Sequence, residues 1–246
     1  MKILAIDTAT QLCGVAIWDT VTGRSACRRL AVTTHSEMLL SLLSACLDEL
    51  QLEPGDLDAV ALGAGPGSFT GLRIGCATAK GFCYALSIPL VMVSSLRALA
   101  EPYRGRGSVL AALDAFRGQV YAQLVPSSLA SPRLLALLEK QPELLVDAAW
   151  NPDELASLLE PVADELSLCG GGITRYPQLG RRKSLADADN SPDPLVIARL
   201  GLDKLAAGET SHLASALPTY VTVSAAEANR PSLTEAREPE SVAWTR

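Results

Sequence analysis

The period of apolar and polar positions changes along the chain, and each change predicts a new element. Three short apolar segments joined by tight turns open the chain, which predicts an antiparallel sheet. These segments lie at residues 2–7, 14–19 and about 24–32. Helical periodicity follows, and Thr34 and Glu37 have the spacing of a capping box, which predicts a helix running to about Leu50. The rest of the first half is predicted as a strand at 58–63, a helix at 70–86, a strand at 89–94 and a short helix from Ser95.

An apolar run that ends in aspartate occurs twice. Ile3–Asp7 is echoed by Val109–Asp114, and a second strand follows each run. This repeat predicts two related halves in tandem. The elements predicted further on are a helix at 152–159, a strand at 166–169, a helix at 193–207 and a last strand at 218–223. Hairpin strands mixed with parallel crossovers predict a layered α/β fold.

The expected organisation has three parts. Residues 1–104 form the first half and residues 105–223 the second, and the helix at 193–207 is a candidate to pack back on the first half. Residues 224–246, rich in Glu, Arg, Ser and Pro, are expected to form a mobile tail.

Composition narrows the function classes. Hydrophobic residues make up 48% of the chain, enough for a sizeable core, and the formal net charge of −6 arises entirely within residues 124–246. A protein that holds nucleic acid by itself needs a clustered basic face, and the only basic run is Arg181-Arg182-Lys183. Direct binding of a phosphate backbone, DNA included, is therefore not expected. No apolar stretch is long enough for a membrane span or signal peptide, so we expect a cytoplasmic protein with six free cysteines.

The most distinctive stretch is the glycine-rich run from Gly63 to Arg73. Its glycines and the helix that follows could present free N–H groups to an anion. The run lacks a Walker-A lysine, however, and it does not fit the dinucleotide pattern GxGxxG. A purely structural turn is the alternative.

Two helices carry unusual surfaces. Small residues recur every fourth position of the second helix, so they form one ridge, and such a ridge indicates close approach of another backbone. They are Gly71, Gly75, Ala79 and Cys83. The first helix carries more apolar residues than one core-facing stripe needs, Met38, Leu42 and Cys46 among them. The pair is predicted to form a docking surface, with packing inside the same half as the alternative.

Conventional catalytic groups are scarce. Asp7 and Asp114 each end a strand, where α/β enzymes often place carboxylates, but an Asp followed by Thr is also a common turn former. The two histidines, His35 and His212, are far apart, and no His, Cys or carboxylate cluster has metal-ligand spacing. No nucleophile elbow is present either.

Four stretches of the chain resemble the bacterial TsaB (YeaZ) family. They are KILAIDTAT at 2–10, GPGSFTGLRIG at 65–75, Leu113–Ala115 with GQVY at 118–121, and PTYV at 218–221. The resemblance implies an actin-like ATPase (ASKHA) fold with two ribonuclease-H-like halves in tandem. It implies a subunit of the machinery that transfers a threonylcarbamoyl group to N6 of the adenosine 3′ to the anticodon in tRNA. The implied partners are TsaD, which is the transferase subunit and a paralogue, and the ATPase TsaE.

The resemblance also implies that this chain is not itself an enzyme. Ser95 and Leu99 stand where TsaD carries the two histidines of its metal motif, so no metal is expected. Remnants of the superfamily's phosphate motifs are Asp7, Thr8 and Thr10 in the first half and Gly170, Gly171 and Gly172 in the second. A backbone nest at the triple glycine leaves weak nucleotide binding open. No intrinsic cofactor is implied, and ATP with magnesium is expected only within the assembled complex.

In this family the two odd helices form a homodimer in isolation and pair alternatively with the equivalent helices of TsaD. The implied interface is Met38, Leu42, Cys46, Gly71, Gly75, Ala79 and Cys83, and Gly75→Leu is expected to leave the monomer folded but unpaired. The chain would bind and activate TsaD, with tRNA reached through the complex. Rival readings are an autonomous ATP-dependent kinase of a small molecule and a metallopeptidase-like protein. One departure from the family is Tyr220-Val221-Thr222, where an arginine usually takes the last position.

Overall fold

The computed structural model describes residues 1–31, 35–179 and 190–221. Several sequence predictions concern residues outside these ranges. They are the helix cap at Thr34, the basic run at 181–183, the departure at Thr222 and the tail at 224–246.

The first half is built on a five-stranded sheet. Its strands are β1 Lys2–Asp7, β2 Leu12–Asp19, β3 Ser25–Ala31, β4 Ala59–Gly63 and β5 Leu90–Val93. The order is β3-β2-β1-β4-β5, with β1 antiparallel to β2 and parallel to β4. The alternating apolar segments therefore pair as predicted, and β1 lies at the centre, buried from Ile3 onward.

The second half repeats the arrangement with four strands. They are β6 Ser108–Asp114, β7 Val120–Val125, β8 Ala148–Trp150 and β9 Leu166–Cys169, in the order β8-β7-β6-β9. Asp114 pairs with Val120 at the turn end of its hairpin, as Asp7 pairs with Gly14. The tandem repeat predicted from the two aspartate-ended strands is confirmed. Three-residue β8 is too short to give a sequence signal.

Seven helices fill the described connections. They are α1 His35–Leu50, α2 Phe69–Leu86, α3 Ser95–Ala100, α4 Pro132–Lys140, α5 Pro152–Leu159, α6 Gly171–Arg175 and α7 Pro194–Ala206. Short 3-10 turns lie at Pro54–Asp56, Glu101–Arg106, Pro142–Leu145 and Glu160–Glu165. The described part of the last predicted strand, residues 218–221, is not a strand, and the Thr219 N–H donates instead to the Ala64 carbonyl at 2.7 Å.

The first sheet is covered on both faces. Helices α1 and α2 pack on one face, and α7, which comes last in the chain, packs on the other. Ile197 and Ala198 of α7 are fully buried against β1 and β4. The contact is close, because a Cβ on Gly201 would lie 2.6 Å from the Cβ of Ala61. Helix α3 packs on the second sheet, so it lies between the halves.

The small-residue ridge of α2 faces inward. Its four residues, Gly71, Gly75, Ala79 and Cys83, are all buried within their own half. A Cβ on Gly71 would lie 2.2 Å from the Thr8 carbonyl oxygen, and one on Gly75 would lie 2.4 Å from Thr8 Oγ1. The interface prediction for these four residues is wrong, because the ridge allows α2 to approach the end of β1. Cys46 of α1 is also fully buried, with its Sγ 3.8 Å from the Val15 carbonyl oxygen.

Matched glycine substitutions test this packing. Gly75→Ala is expected to lower the free energy of unfolding by about 1–3 kcal/mol, because the added methyl meets the buried Thr8 side chain. Gly81→Ala, on the outer face of the same helix with no atom within 4 Å of its added Cβ, is expected to raise it by about 0.5–1 kcal/mol. Chemical denaturation of both variants measures the difference. Equal effects at the two positions would contradict the inward orientation, and Gly75→Leu is now expected to prevent folding.

Candidate functional site

The outer face of α2 is smooth and nearly uncharged. Ala77, Gly81 and Ala85 are exposed and spaced by four residues, so they form a second small ridge on the side away from the core. Tyr84 beside them is 83% exposed. From residue 74 to residue 86 the only charged side chain is Lys80, whose Nζ donates to the Ala216 carbonyl at 3.2 Å.

Helix α1 continues this surface. Leu40 is 57% exposed, and a groove of about 340 Å³ separates it from the α2 side. The groove is lined by Leu40, Leu43, Ser44, Leu47, Asp48, Leu52, Glu53, Pro54 and Phe82. Met38 and Leu42, both predicted at an interface, are half-buried, and neither lines this groove. We call the surface formed by Leu40 of α1, the groove beside it, and Ala77, Gly81, Tyr84 and Ala85 of α2 the outer helix face.

An aromatic and arginine cluster lies at the start of α2. The Arg73 guanidinium stands 3.9 Å above the ring of Phe69, and its Nε donates to the Tyr220 hydroxyl at 3.3 Å. The two rings are 5.2 Å apart. The sequence gives no sign of this cluster, because Tyr220 reaches α2 from the far end of the described chain.

Asp7 is sealed at the end of β1. Its Oδ2 accepts a hydrogen bond from Ser95 Oγ at 2.9 Å, and its Oδ1 accepts one from the Ala9 N–H at 3.2 Å. Gly63 stands against it, where a Cβ would lie 2.1 Å from Oδ2. Burial raises the pKa of Asp7 to about 6, against the opposing effects of these hydrogen bonds and of Arg29. A carboxylate closed in this way has no room beside it for a substrate.

The glycine-rich run uses its polar groups internally. The Ser68 N–H donates to the Ala9 carbonyl at 2.8 Å, and the Gly71 N–H donates to Ser68 Oγ at 3.2 Å. Ser95 closes the start of the run, since its N–H donates to the Gly65 carbonyl and its Oγ accepts from the Gly65 N–H. The geometry favours the structural turn over an anion loop.

The other predicted phosphate-motif residues lie in both halves. Thr8 packs under α2, and Thr10 Oγ1 donates to Ser191 Oγ at 3.1 Å. In the second half, the Gly170 N–H donates to Asn190 Oδ1 at 3.2 Å. Residues 190 and 191 thus join the two sets across the cleft between the halves.

Close packing explains two of the three consecutive glycines. A Cβ on Gly170 would lie 2.1 Å from the Ala112 carbonyl oxygen, and one on Gly172 would lie 2.8 Å from its carbonyl carbon. A Cβ on Gly171 would meet nothing within 4 Å. Asp114 is engaged nearby, with its Oδ1 accepting hydrogen bonds from the Tyr176 hydroxyl at 3.0 Å and the Phe116 N–H at 2.9 Å. A role for Gly170, Gly171 and Gly172 in nucleotide binding stays a prediction.

Two adjacent serines tie the halves together. Ser95 bonds Asp7 of the first sheet, and Ser94 Oγ donates to Oδ1 of Asp147, which precedes β8 of the second, at 2.7 Å. Ser94 also caps α3 by accepting the Arg97 N–H at 3.0 Å. Burial raises the pKa of Asp147 to about 6, against the effect of the Ser94 hydrogen bond. The junction of β5 and α3 is therefore bonded to both halves.

Metal ligands are not grouped in the described residues. No cluster of three His, Cys, Asp or Glu side chains occurs within them. Ser95 is fully buried, and the Leu99 side chain packs against Gly170, where a Cβ on the glycine would lie 2.7 Å from it. Within the same ranges, no helix combines the length and the apolar character that a membrane span requires.

Comparisons with known proteins agree with this architecture. The family model described as "TsaD: tRNA N6-adenosine threonylcarbamoyltransferase" matches residues 29–127. Among curated relatives, the tRNA threonylcarbamoyladenosine biosynthesis protein TsaB of Escherichia coli K12 is 30% identical, covering 90% of this chain and 94% of that protein. The protein of the same name from Bacillus subtilis 168 is 31% identical, covering 93% and 97%.

A solved structure gives the same result. YeaZ from Pseudomonas aeruginosa superimposes with a TM-score of 0.72 at 29% identity, covering 89% of this chain and 99% of that one. The predicted two-lobed α/β fold, with related halves in tandem, is confirmed. With near-complete coverage of curated relatives and a shared architecture, the chain belongs to the TsaB (YeaZ) family.

Proposed function

We propose that this chain is a non-catalytic scaffold subunit in the formation of threonylcarbamoyladenosine in tRNA, and that it binds and activates TsaD through the outer helix face. The observation that carries the proposal is the contrast between an exposed surface and a buried carboxylate. The exposed side of α2 consists of small and apolar residues, with Leu40 of α1 beside it. Asp7, the carboxylate best placed for chemistry, is instead sealed against Ser95 and Gly63.

The shape of the outer helix face suits helix pairing. Small residues at Ala77, Gly81 and Ala85 let the backbone of another helix come close, while Leu40 and Tyr84 supply apolar area on either side. Exposed apolar patches of this kind mark protein–protein contacts. With only Lys80 charged along this part of α2, burial of the face leaves few charges to desolvate.

The family-model match supports the choice of partner. It spans residues 29–127, so α1 and α2 both lie within the region that resembles TsaD. A partner with equivalent helices can present an equivalent face, and so can a second copy of this chain. We therefore propose a homodimer in isolation and pairing with TsaD in the complex.

The cleft supports a role without chemistry. An autonomous kinase would need a catalytic aspartate in the cleft, and both candidates, Asp7 and Asp114, are engaged in hydrogen bonds inside the protein. A metallopeptidase needs ligands where this chain has Ser95 and Leu99, and neither replaces an imidazole. The proposal accordingly assigns ATP and magnesium to the assembled complex, with TsaE as a further partner, in the cytoplasm.

Charge substitution tests the pairing surface. Ala77→Glu on the outer face of α2 is expected to weaken both self-association and binding to TsaD at least about tenfold, because the carboxylate would be buried without a partner. Ala136→Glu, the same change at an exposed position of α4, is the matched control and should have no effect. Light scattering after gel filtration and titration with labelled TsaD measure the two interactions. Unchanged pairing in Ala77→Glu would place the interface elsewhere.

Omission from a reconstituted reaction tests the scaffold role. Threonylcarbamoylation of a tRNA transcript by TsaD, TsaE and a supply of the threonylcarbamoyl donor is expected to fall to background without this chain and to return when it is added. The chain alone should give no product. Full product formation in its absence would refute the role.

An isosteric change at Asp7 tests the absence of chemistry. Loss of a catalytic general acid or base costs about 10²–10⁴-fold in rate, so Asp7→Asn would nearly abolish activity if Asp7 reacted. We expect the complex reconstituted with Asp7→Asn to retain activity within about threefold, a change much smaller than loss of a general base would cause. The rate of tRNA modification under saturating substrate is the measurement.

The same variant has a distinct pH signature. Because the pKa of Asp7 is raised to about 6, the folded protein binds its proton more tightly than the unfolded chain does. Its contribution to stability is therefore present below the unfolded pKa and is lost as pH rises to about 6. The free energy of unfolding of the native chain, taken relative to Asp7→Asn, should fall by about 2 kcal/mol between pH 4 and pH 6. Urea titrations across this range measure it, and a rising difference would contradict the buried carboxylate. Asp147 titrates near the same pH in both proteins and cancels.

A further inference from the structure

Three arginines converge on one glutamate at the junction of the halves. Arg97 Nε lies 3.0 Å from Glu101 Oε2, while Arg104 and Arg199 approach Glu101 Oε1 at 3.3 and 3.5 Å. Glu101 is largely covered, with 12% of its side chain exposed, whereas the arginines remain between 34% and 52% exposed. One carboxylate thus neutralises one of three guanidinium groups, and the excess positive charge faces solvent.

A fourth arginine extends the patch. Arg106 is exposed at the end of the 3-10 turn Glu101–Arg106, which also contains Arg104. Its guanidinium carbon lies 5.9 Å from the centre of the Tyr103 ring. We call Arg97, Arg104, Arg106 and Arg199 the arginine cluster. Asp203 lies one turn beyond Arg199 on α7. The local balance, four arginines against Glu101 and Asp203, remains positive.

The sequence alone does not show that Arg199 joins the other three arginines. Three members come from residues 97–106 and the fourth from α7, which reaches them only because it packs back on the first half. Arg133 shows that an exposed arginine does not by itself leave an excess of positive charge. Arg133 is similarly exposed at 54%, but it contacts two carboxylates, Asp164 and Glu165, and so leaves no excess positive charge.

We propose that the arginine cluster binds the phosphate backbone of the tRNA that the complex modifies. Guanidinium groups match phosphate oxygens in geometry, hold their charge at all working pH values and bind phosphate without reading base sequence. The inference rests on the proposed function, which brings tRNA to this chain. It departs from the sequence-based expectation that this chain does not bind a phosphate backbone directly.

The overall charge fixes when this contact forms. A net charge of −6 repels RNA at long range, so the isolated chain should bind tRNA weakly. Once other subunits hold the tRNA nearby, the cluster adds local contacts. Its effect should therefore appear in the affinity of the complete complex and in the dependence of that affinity on salt.

The test uses the reconstituted complex and a fluorescently labelled tRNA transcript. The triple variant Arg104→Gln, Arg106→Gln and Arg199→Gln is expected to weaken binding about fivefold to tenfold near 100 mM salt. The plot of log affinity against log salt should become shallower by about 2, because two to three phosphate contacts are lost. Arg133→Gln is the matched control and should change neither quantity. Asp203→Asn should act in the opposite direction, with binding about twofold tighter.

Separate measurements keep the outcomes distinct. Thermal unfolding of each variant checks the fold, and titration with labelled TsaD checks assembly. Unchanged tRNA affinity and salt dependence in a folded, assembled triple variant would overturn the proposal. Loss of a protein partner with tRNA binding intact would do the same, because the cluster would then serve an acidic protein surface. If omitting the chain leaves tRNA modification unaffected while the variants still weaken tRNA binding, the scaffold role fails and the arginine cluster stands.

Discussion

The close approach of α2 to the end of β1 is the constraint on which the rest of the structure depends. A Cβ atom at position 71 or 75 would collide with Thr8. Because both positions are glycine, the helix can lie directly on the end of the strand. With that face committed to the core, Ala77, Gly81 and Ala85 must point outward. The same contact thus determines both the packing of the first half and which face of α2 is exposed to solvent.

The two halves are coupled by small polar contacts. Ser94 and Ser95 are consecutive, yet one bonds a carboxylate of the second half and the other bonds Asp7 of the first. Both carboxylates have a raised pKa because burial outweighs the hydrogen bonds they receive. At the end of β1, where an α/β enzyme often places a reacting carboxylate, this chain has hydrogen bonds that hold its two halves together. The glycine contacts at Gly170 and Gly172 likewise serve packing against β6.

The sequence predicts much of the fold because most of its signals are local. Alternation identifies the long strands, the repeat of aspartate-ended strands identifies the two halves, and Asn151 and Asp193 cap their helices as their residue types suggest. The missed elements are β8, α4 and α6. A three-residue strand and a five-residue helix have too few positions to show a period. Helix α4 could have been predicted, because Ser131 caps it and Pro132 stands at its first position.

The proposed pairing surface is harder to predict, for a physical reason. A period-four ridge of small residues reveals that some backbone comes close, but not whose backbone it is. In α2 both faces carry such a ridge, at Gly71 and Gly75 inside and at Ala77 and Gly81 outside, and only the packed structure separates them. The arginine cluster is missed because it forms between residues about a hundred positions apart.

The position of α7 has a consequence for biosynthesis. The helix covers the first sheet, although its residues are made after nearly the whole second half. During translation the apolar face formed by Ile3, Ala5 and Ala61 stays open until the ribosome has released residues 194–206. The nascent chain therefore cannot complete its amino-terminal half before the second half is made. Until then the exposed apolar face can aggregate, and chaperones or fast synthesis would be needed to prevent this.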